Sequence, residues 1–327
     1  MSGHVQSGRI ETHDIEELNY SVDPWQLRMQ QMSAGPFRAS FDLLQINGIL
    51  LTRERWSQSV IARGATPEGY LALACTCTKN TFLYCGPEIK QGYLSYGFDA
   101  TEIDFQTPVD EDHWVILVPK DLLLLYLGEE LAANVLRRQR VIHTGRRLTQ
   151  RLFLIVAQAF RTFHAGEQTH TDDLLVQTVE AELMDTILEI LLGTGTDAGC
   201  GTPRKRFLAC RRAILHAENL DYPLRAPQLA AAVGVSQRVL EMGFKEMLGI
   251  SPQKFLRWSR LNNLRRDLRR TRSKKGTVTE MARRWGFQEL GRTAVEYKRL
   301  FGESPSRTLG LKDHPHSMRL VDALRTT

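Results

Sequence analysis

The strongest constraint on this chain is a pattern that occurs twice in its C-terminal third. In the first copy a short helix through Val233 reaches Gly234, which can take the left-handed backbone of a sharp turn. Ser236 then caps a second helix that buries Val239, Leu240 and Phe244. In the second copy Val278 to Trp285 gives the helix and Gly286 the turn, and Gln288 to Phe301 gives the second helix with Tyr297, Leu300 and Phe301 as core candidates. Each copy ends in Gly-x-Ser-Pro, at Gly249 to Pro252 and at Gly302 to Pro305, where serine caps and proline opens the next helix. This is the grammar of a helix-turn-helix, and two copies make chance an unattractive explanation.

The residues left off the buried faces are the candidate recognition groups. In the first unit they are Gln237, Arg238, Glu241, Met242 and Lys245; in the second they are Gln288, Glu289, Leu290, Arg292 and Val295. Arg238 and Arg292 lie early in their helices, where side chains reach base edges in a major groove, and arginine can grip guanine O6 and N7 with two hydrogen bonds. Between the units, Ser251 to Arg270 keeps Phe255, Trp258, Leu261, Leu264 and Leu268 on one helical stripe. Arg265, Arg266, Arg269 and Arg270 flank that stripe and read as a solvated face or as nonspecific phosphate attraction. A helix of some 20 residues spans about 30 Å, close to the roughly 34 Å of one DNA turn, so two recognition helices could enter successive major grooves. Double-stranded RNA fits poorly, because its major groove is too deep and narrow to admit a helix.

Charge points to the same half. Residues 1–203 carry 16 Lys/Arg against 26 Asp/Glu, whereas residues 204–327 carry 27 against 11, within a net charge of +6. A polyanion-binding C-terminal half and an acidic N-terminal half follow.

The N-terminal half reads as α+β. Residues 1–36 are polar and without period, and are expected to be an arm. Phe41–Leu51, Ser57–Arg63, Gly69–Thr76, Thr81–Tyr84, Tyr93–Phe98 and Trp114–Val118 read as short strands separated by turn signals, which suggests a small barrel or sandwich. The period then changes, and Leu122–Val141, Arg146–His164 and Asp172–Leu192 read as helices. In the last of these, Leu175, Val179, Leu183 and Ile187 fall on one stripe, suited either to the core or to a second copy of the chain. The glycine-rich run 194–203 is a linker. The expected organisation is therefore an α+β domain over 1–193 whose last helix could pair two copies, the linker, a DNA-binding domain over 204–312, and a tail over 313–327.

From about Arg206 to Leu311 the sequence resembles the AraC/XylS family of bacterial transcription regulators. The residues that carry the resemblance include Leu229-Ala, Gly234-Val-Ser, Leu248-Gly-x-Ser-Pro252, Arg260-Leu, Thr279-Glu-x-Ala, Trp285-Gly-Phe287, Tyr297 and Phe301-Gly-Glu-Ser-Pro305. Gly286 to Arg292 looks most like the XylS-type branch, in which an aromatic usually follows the arginine; Thr293 stands there instead. The resemblance implies double-stranded promoter DNA and RNA polymerase as partners, activation in response to a small-molecule effector, and a cupin-like β-barrel whose following helices pair two subunits as a homodimer. It carries over no effector-binding residue.

Other classes have little support. No Gly-x-Ser-x-Gly turn, His-Glu-x-x-His helix or phosphate loop occurs, which argues against an enzyme. No cofactor and no metal are expected. Cys75 and Cys77 share one strand face with Cys85 beyond a turn, an arrangement open to soft-metal or oxidant sensing but more economically read as small buried residues. No apolar run is long enough to cross a bilayer and the first residues lack the blocks of a signal peptide, so a cytoplasmic protein, associated with the nucleoid when on DNA, is expected. The alternative from another class is an architectural or constitutive DNA-binding protein whose N-terminal domain only dimerises.

Overall fold

A computed structural model describes residues 4–21, 25–76, 81–85, 88–89, 92–136, 141–163, 172–193, 205–218, 224–270, 277–310 and 325–326. The chain begins with β1 (Val5–Thr12), α1 (Ile15–Ser21) and β2 (Gln26–Gln31), then β3 (Ala39–Ile46), β4 (Ile49–Trp56), β5 (Val60–Ala65) and β6 (Tyr70–Thr76). Next come β7 (Phe82–Tyr84), β8 (Glu88–Ile89), β9 (Tyr93–Phe98), β10 (Glu102–Thr107) and β11 (Glu111–Pro119). Helices α2 (Lys120–Leu127) and α3 (Glu129–Leu136) lead through β12 (Val141–His143) to α4 (Gly145–Phe163) and α5 (Asp173–Leu192).

These strands form two sheets. One has the order β12-β9-β6-β11-β4-β3-β1 and is extended at its β1 edge by β13 (Arg325–Thr326); the other has the order β2-β5-β10-β7-β8. Of the small barrel or sandwich expected, the sandwich is found and the cupin-like barrel is corrected: among the described residues the two sheets face one another, and their ladders end at edge strands without joining. Residues 1–36 are likewise more than an arm, since β1 pairs with β3 along its whole length and β2 with β5. Phe41–Leu51, expected as one strand, is the hairpin of β3 and β4 turned at Asn47 and Gly48, both at positive φ. The helix expected over 122–141 is divided at Gly128, where φ is +71°.

Strand alternation gives the larger sheet two apolar faces. Leu44, Ile46, Leu51, Leu73, Trp114 and Ile116 turn outward and pack on Leu152, Val156 and Ala159 of α4 and on Val179, Leu183 and Ile187 of α5. Val179, Leu183 and Ile187 of the α5 stripe are thus consumed inside one chain, whereas Leu175 stays exposed. Phe41, Leu43 and Trp56 turn the other way, toward Met29, Val60 and Ala62 of the smaller sheet.

The C-terminal region is helical: α6 (Lys205–Glu218), α7 (Ala226–Ala232), α8 (Gln237–Leu248), α9 (Pro252–Arg270), α10 (Val278–Arg284), α11 (Leu290–Phe301) and α12 (Pro305–Gly310). One core holds α6 to α8 on the first half of α9, and a second holds α10 to α12 on its second half. The layers therefore run from α4 and α5 through the larger sheet and the smaller sheet to the helical region. The linker 194–203 lies outside the described residues.

Candidate nucleic-acid interface

Each helix-turn-helix is built by local chemistry. Gly234 and Gly286 sit at φ +69° and +76°, a backbone that a side chain would strain, and they turn α7 into α8 and α10 toward α11. Ser236 accepts a hydrogen bond from Val239 N at 3.3 Å, and Thr277 and Glu280 form a reciprocal capping box on α10. After each recognition helix the Gly-x-Ser-Pro signal behaves as the sequence requires. Gly249 and Gly302 take left-handed caps, and Ser251 and Ser304 accept from the backbone N of Lys254 and Arg307.

The buried faces are those expected. Leu240 and Phe244 are buried in the first unit, with Phe244 stacked 5.1 Å from Phe255 of α9. In the second unit Tyr297 is fully buried, donates to Thr308 Oγ1 at 2.9 Å, and has its phenol pushed up by burial. Trp285 Nε1 donates to Asp267 of α9 at 2.8 Å, fixing α10 to the same spine. Thr293 is buried, and its hydroxyl donates to the Glu289 carbonyl at 2.9 Å.

The candidate recognition residues lie on the opposite faces. Gln237, Arg238, Glu241, Met242 and Lys245 are exposed on α8, and Gln288, Glu289, Arg292 and Val295 are exposed at and along α11, with Leu290 half-buried. Val295 is an apolar side chain 70% exposed, which a folded monomer gains nothing by presenting to water. Arg292 is held loosely between Glu289 at 3.7 Å and Glu296 at 3.5 Å, so its guanidinium can exchange these screened contacts for another acceptor.

Arg270 is exposed, as a solvated face requires, but the other three flanking arginines of α9 are placed differently from either expectation. Arg265, Arg266 and Arg269 are neither solvated nor aimed at phosphate; their side chains are more than nine-tenths buried against the N-terminal domain. Arg265 pairs with Asp14 at 3.0 Å and Glu303 at 2.8 Å, Arg266 with Glu16 at 3.4 Å, and Arg269 with Asp14 at 2.9 Å. Burial opposes the charge on Arg265, but Asp14, Tyr297 and Glu303 outweigh it and raise its pKa. Burial pushes the Glu16 carboxyl up, partly offset by Arg266.

A second feature lies between the sheets. Trp25, Leu27, Tyr84, Ile103, Phe105 and Val115 wall a small cavity, and Glu54 and His113 supply its polar end. His113 Nε2 is 3.3 Å from Glu54, and its ring meets Trp56 edge-on at 4.9 Å. Burial opposes the imidazolium, yet the hydrogen bond and charge of Glu54, with Glu111 and Asp112, raise the His113 pKa. No sequence pattern marks this site, because its residues come from seven strands and two sheets.

The metal and thiol expectations meet the structure as follows. Among the described residues no group of three or more His, Cys, Asp or Glu is arranged to hold a metal ion. Cys75 is buried in the core and its thiol is pushed up to about 12 by desolvation, Cys85 is half-buried, and Cys77 lies outside the described residues. No described helix is long and apolar enough to cross a membrane.

Comparison with known proteins agrees with the geometry. Residues 229–310 match the family described as a helix-turn-helix domain. A probable thc operon regulatory protein of Rhodococcus erythropolis is 47% identical over 100 residues, 30% of this chain and 30% of that protein. XylDLEGF operon transcriptional activator 2 of Pseudomonas putida is 34% identical over 106 residues, 32% of this chain and 65% of that protein. A solved structure of a probable AraC family transcriptional regulator from Rhodopseudomonas palustris is 34% identical, with 32% of this chain and 95% of that chain covered at a TM-score of 0.29. The chain thus spans less than two thirds of the curated relatives it matches, and the shared part is the helix-turn-helix region. Through that region, with its two capped helix-turn-helix units on one connecting helix, the chain is similar to transcription regulators of the AraC/XylS family.

Proposed function

We propose that this chain is an effector-responsive activator that reads promoter DNA with the exposed faces of α8 and α11 in successive major grooves. The observation that carries the reading is the pair of helices whose apolar faces are spent on α9 while Gln237, Arg238, Glu241, Met242, Lys245, Gln288, Glu289, Arg292 and Val295 are presented on the other side, with Leu290 half-buried at the edge of the second core. Arg238 and Arg292 are the base-reading groups, and the excess basic charge of residues 204–327 supplies the nonspecific attraction to phosphate. RNA polymerase is the partner such an activator would recruit, and the cytoplasm, with the nucleoid, is where it would act.

The effector site is the cavity between the sheets. Its walls suit a small ligand with an apolar, ring-sized body, and the Glu54–His113 pair suits one hydrogen-bonding group on that body. A homodimer remains part of this reading, supported by Leu125, Leu154, Leu174 and Leu175, which are exposed on α2, α4 and α5, while Val179, Leu183 and Ile187 of the α5 stripe are spent on the sheet. Selection of duplexes from a random DNA library by the full chain tests the reading. A recovered site with two conserved segments about one turn apart supports it, and recovery of no sequence preference defeats it.

A further inference from the structure

The smaller sheet is one residue thick, and its two faces touch different things. Along β10, Ile103, Phe105 and Thr107 line the cavity, while Asp104 and Gln106 between them face the helical region. Asp104 accepts two hydrogen bonds from Arg211 Nε of α6, at 2.8 and 2.9 Å, and Gln106 Nε2 donates to the Met247 carbonyl of α8 at 2.7 Å. β2 repeats the division. Leu27 lines the cavity, Arg28 donates to Asn263 of α9 at 2.9 Å, and Gln31 exchanges backbone bonds with the Asn262 amide at 2.9 and 3.0 Å.

The side chain of Gln31 completes a second relationship. Its Nε2 donates to the Leu300 carbonyl of α11 at 2.6 Å, shared with the carbonyls of Ser33 and Gly35, and Gly35 N donates to the same Leu300 carbonyl at 3.1 Å. Met247 and Leu300 hold equivalent places in the two units: each stands two residues before the left-handed glycine, Gly249 or Gly302, that ends a recognition helix. The last carbonyls of a helix have no partner within it. The two glutamines therefore satisfy the same orphan position at the ends of both recognition helices, from two strands that also wall the cavity.

We propose that β2 and β10 couple the cavity to both recognition helices, with Gln31 and Gln106 as the two positioning residues. A ligand that moves Phe105 or Leu27 moves the adjacent peptide that carries Gln106, or the strand that carries Gln31, and so changes how α8 and α11 are held relative to one another. Such coupling is reciprocal, so DNA that prefers one placement of the helices alters affinity at the cavity by the same factor. The inference rests on the cavity being the effector site. Its test is made independent of any effector and of DNA by filling the cavity from within.

Ala74 lines the cavity from β6 in the larger sheet and touches neither glutamine, so Ala74→Met occupies the space as a ligand would. Ser95→Val, from β9, is the second filling variant. Hydrogen–deuterium exchange is measured on the full chain for segments covering the ends of α8 and α11, with α5 as the folding control, in the wild-type and Gln31→Leu/Gln106→Leu backgrounds. The double replacement alone should speed exchange at the two helix ends by about fivefold, the factor for one ordinary hydrogen bond. A filling variant should change exchange at both ends in the wild-type background and leave it unchanged in the double-leucine background. An equal change in both backgrounds, or no change in either while α5 stays protected, overturns the coupling. Failure to find a DNA site, by contrast, defeats the proposed function and leaves this result standing.

Discussion

Arg265 Nε donates to Asp14 Oδ1 at 3.1 Å across 251 residues of sequence, joining the connecting helix of the DNA-binding region to the first helix of the N-terminal domain. Both side chains are more than nine-tenths buried, and Asp14 also holds Arg269 at 2.9 Å and caps α1 by accepting from Glu16 N at 3.0 Å. A buried charge that loses its partner is costly because water cannot replace it. Asp14→Asn keeps the shape and the cap while deleting the charge that two arginines share. It should destabilise the chain by about 3 kcal/mol in urea unfolding, the lower end of the range for breaking a buried pair. Arg9→Ala, which breaks the exposed pair with Glu11, should cost no more than about 1 kcal/mol. Equal costs for the two replacements would show that the Asp14 link is not buried in solution.

The His113 site predicts a pH dependence of stability. Its folded pKa is raised, so the protonated form binds the native state better, and this contribution is complete below the unfolded value of about 6.5 and is lost as pH rises through the folded value. Glu111, raised by burial, acts with the same sign at lower pH. The urea midpoint should therefore fall between pH 6 and pH 9, and His113→Gln should flatten that fall. An unchanged slope in the variant assigns the dependence to other groups.

How much of this was legible in the sequence depended on range. The helix-turn-helix units could be read because Gly234, Ser236, Gly286 and the Gly-x-Ser-Pro signals act on their own neighbours, and each does in the structure what its chemistry requires. The paired Asn47 and Gly48 were also local, yet the apolar run on either side concealed the turn. The fate of Arg265, Arg266 and Arg269 could not be read, since a basic helix flank looks the same whether its acids are in solution or on α1. β10 was missed because Glu102, Asp104 and Gln106 make it look polar; Glu102 is exposed, and Asp104 and Gln106 face the helical region. Both glutamines of the proposed coupling fall in this class.

The cysteines give a chemical check on the core. Desolvation raises the thiol of Cys75 to about 12 and that of Cys210 higher still, so neither forms a thiolate near neutral pH. In the native chain at pH 8, alkylation followed by peptide mapping should leave both unmodified, and unfolding in urea should expose both. Rapid modification of Cys75 in the native state would contradict the core packing of β6 and restore an oxidant-sensing role.

The central claim, that α8 and α11 each read bases, is tested most directly by the affinities of wild type, Arg238→Ala and Arg292→Ala for a set of single-base variants of the selected site. Each replacement should abolish discrimination of about 1–3 kcal/mol at one position, the two positions lying about one turn apart, with the ranking elsewhere preserved. A uniform loss of affinity across the whole set, with every ranking unchanged, would show that these arginines touch only phosphate and would contradict the account.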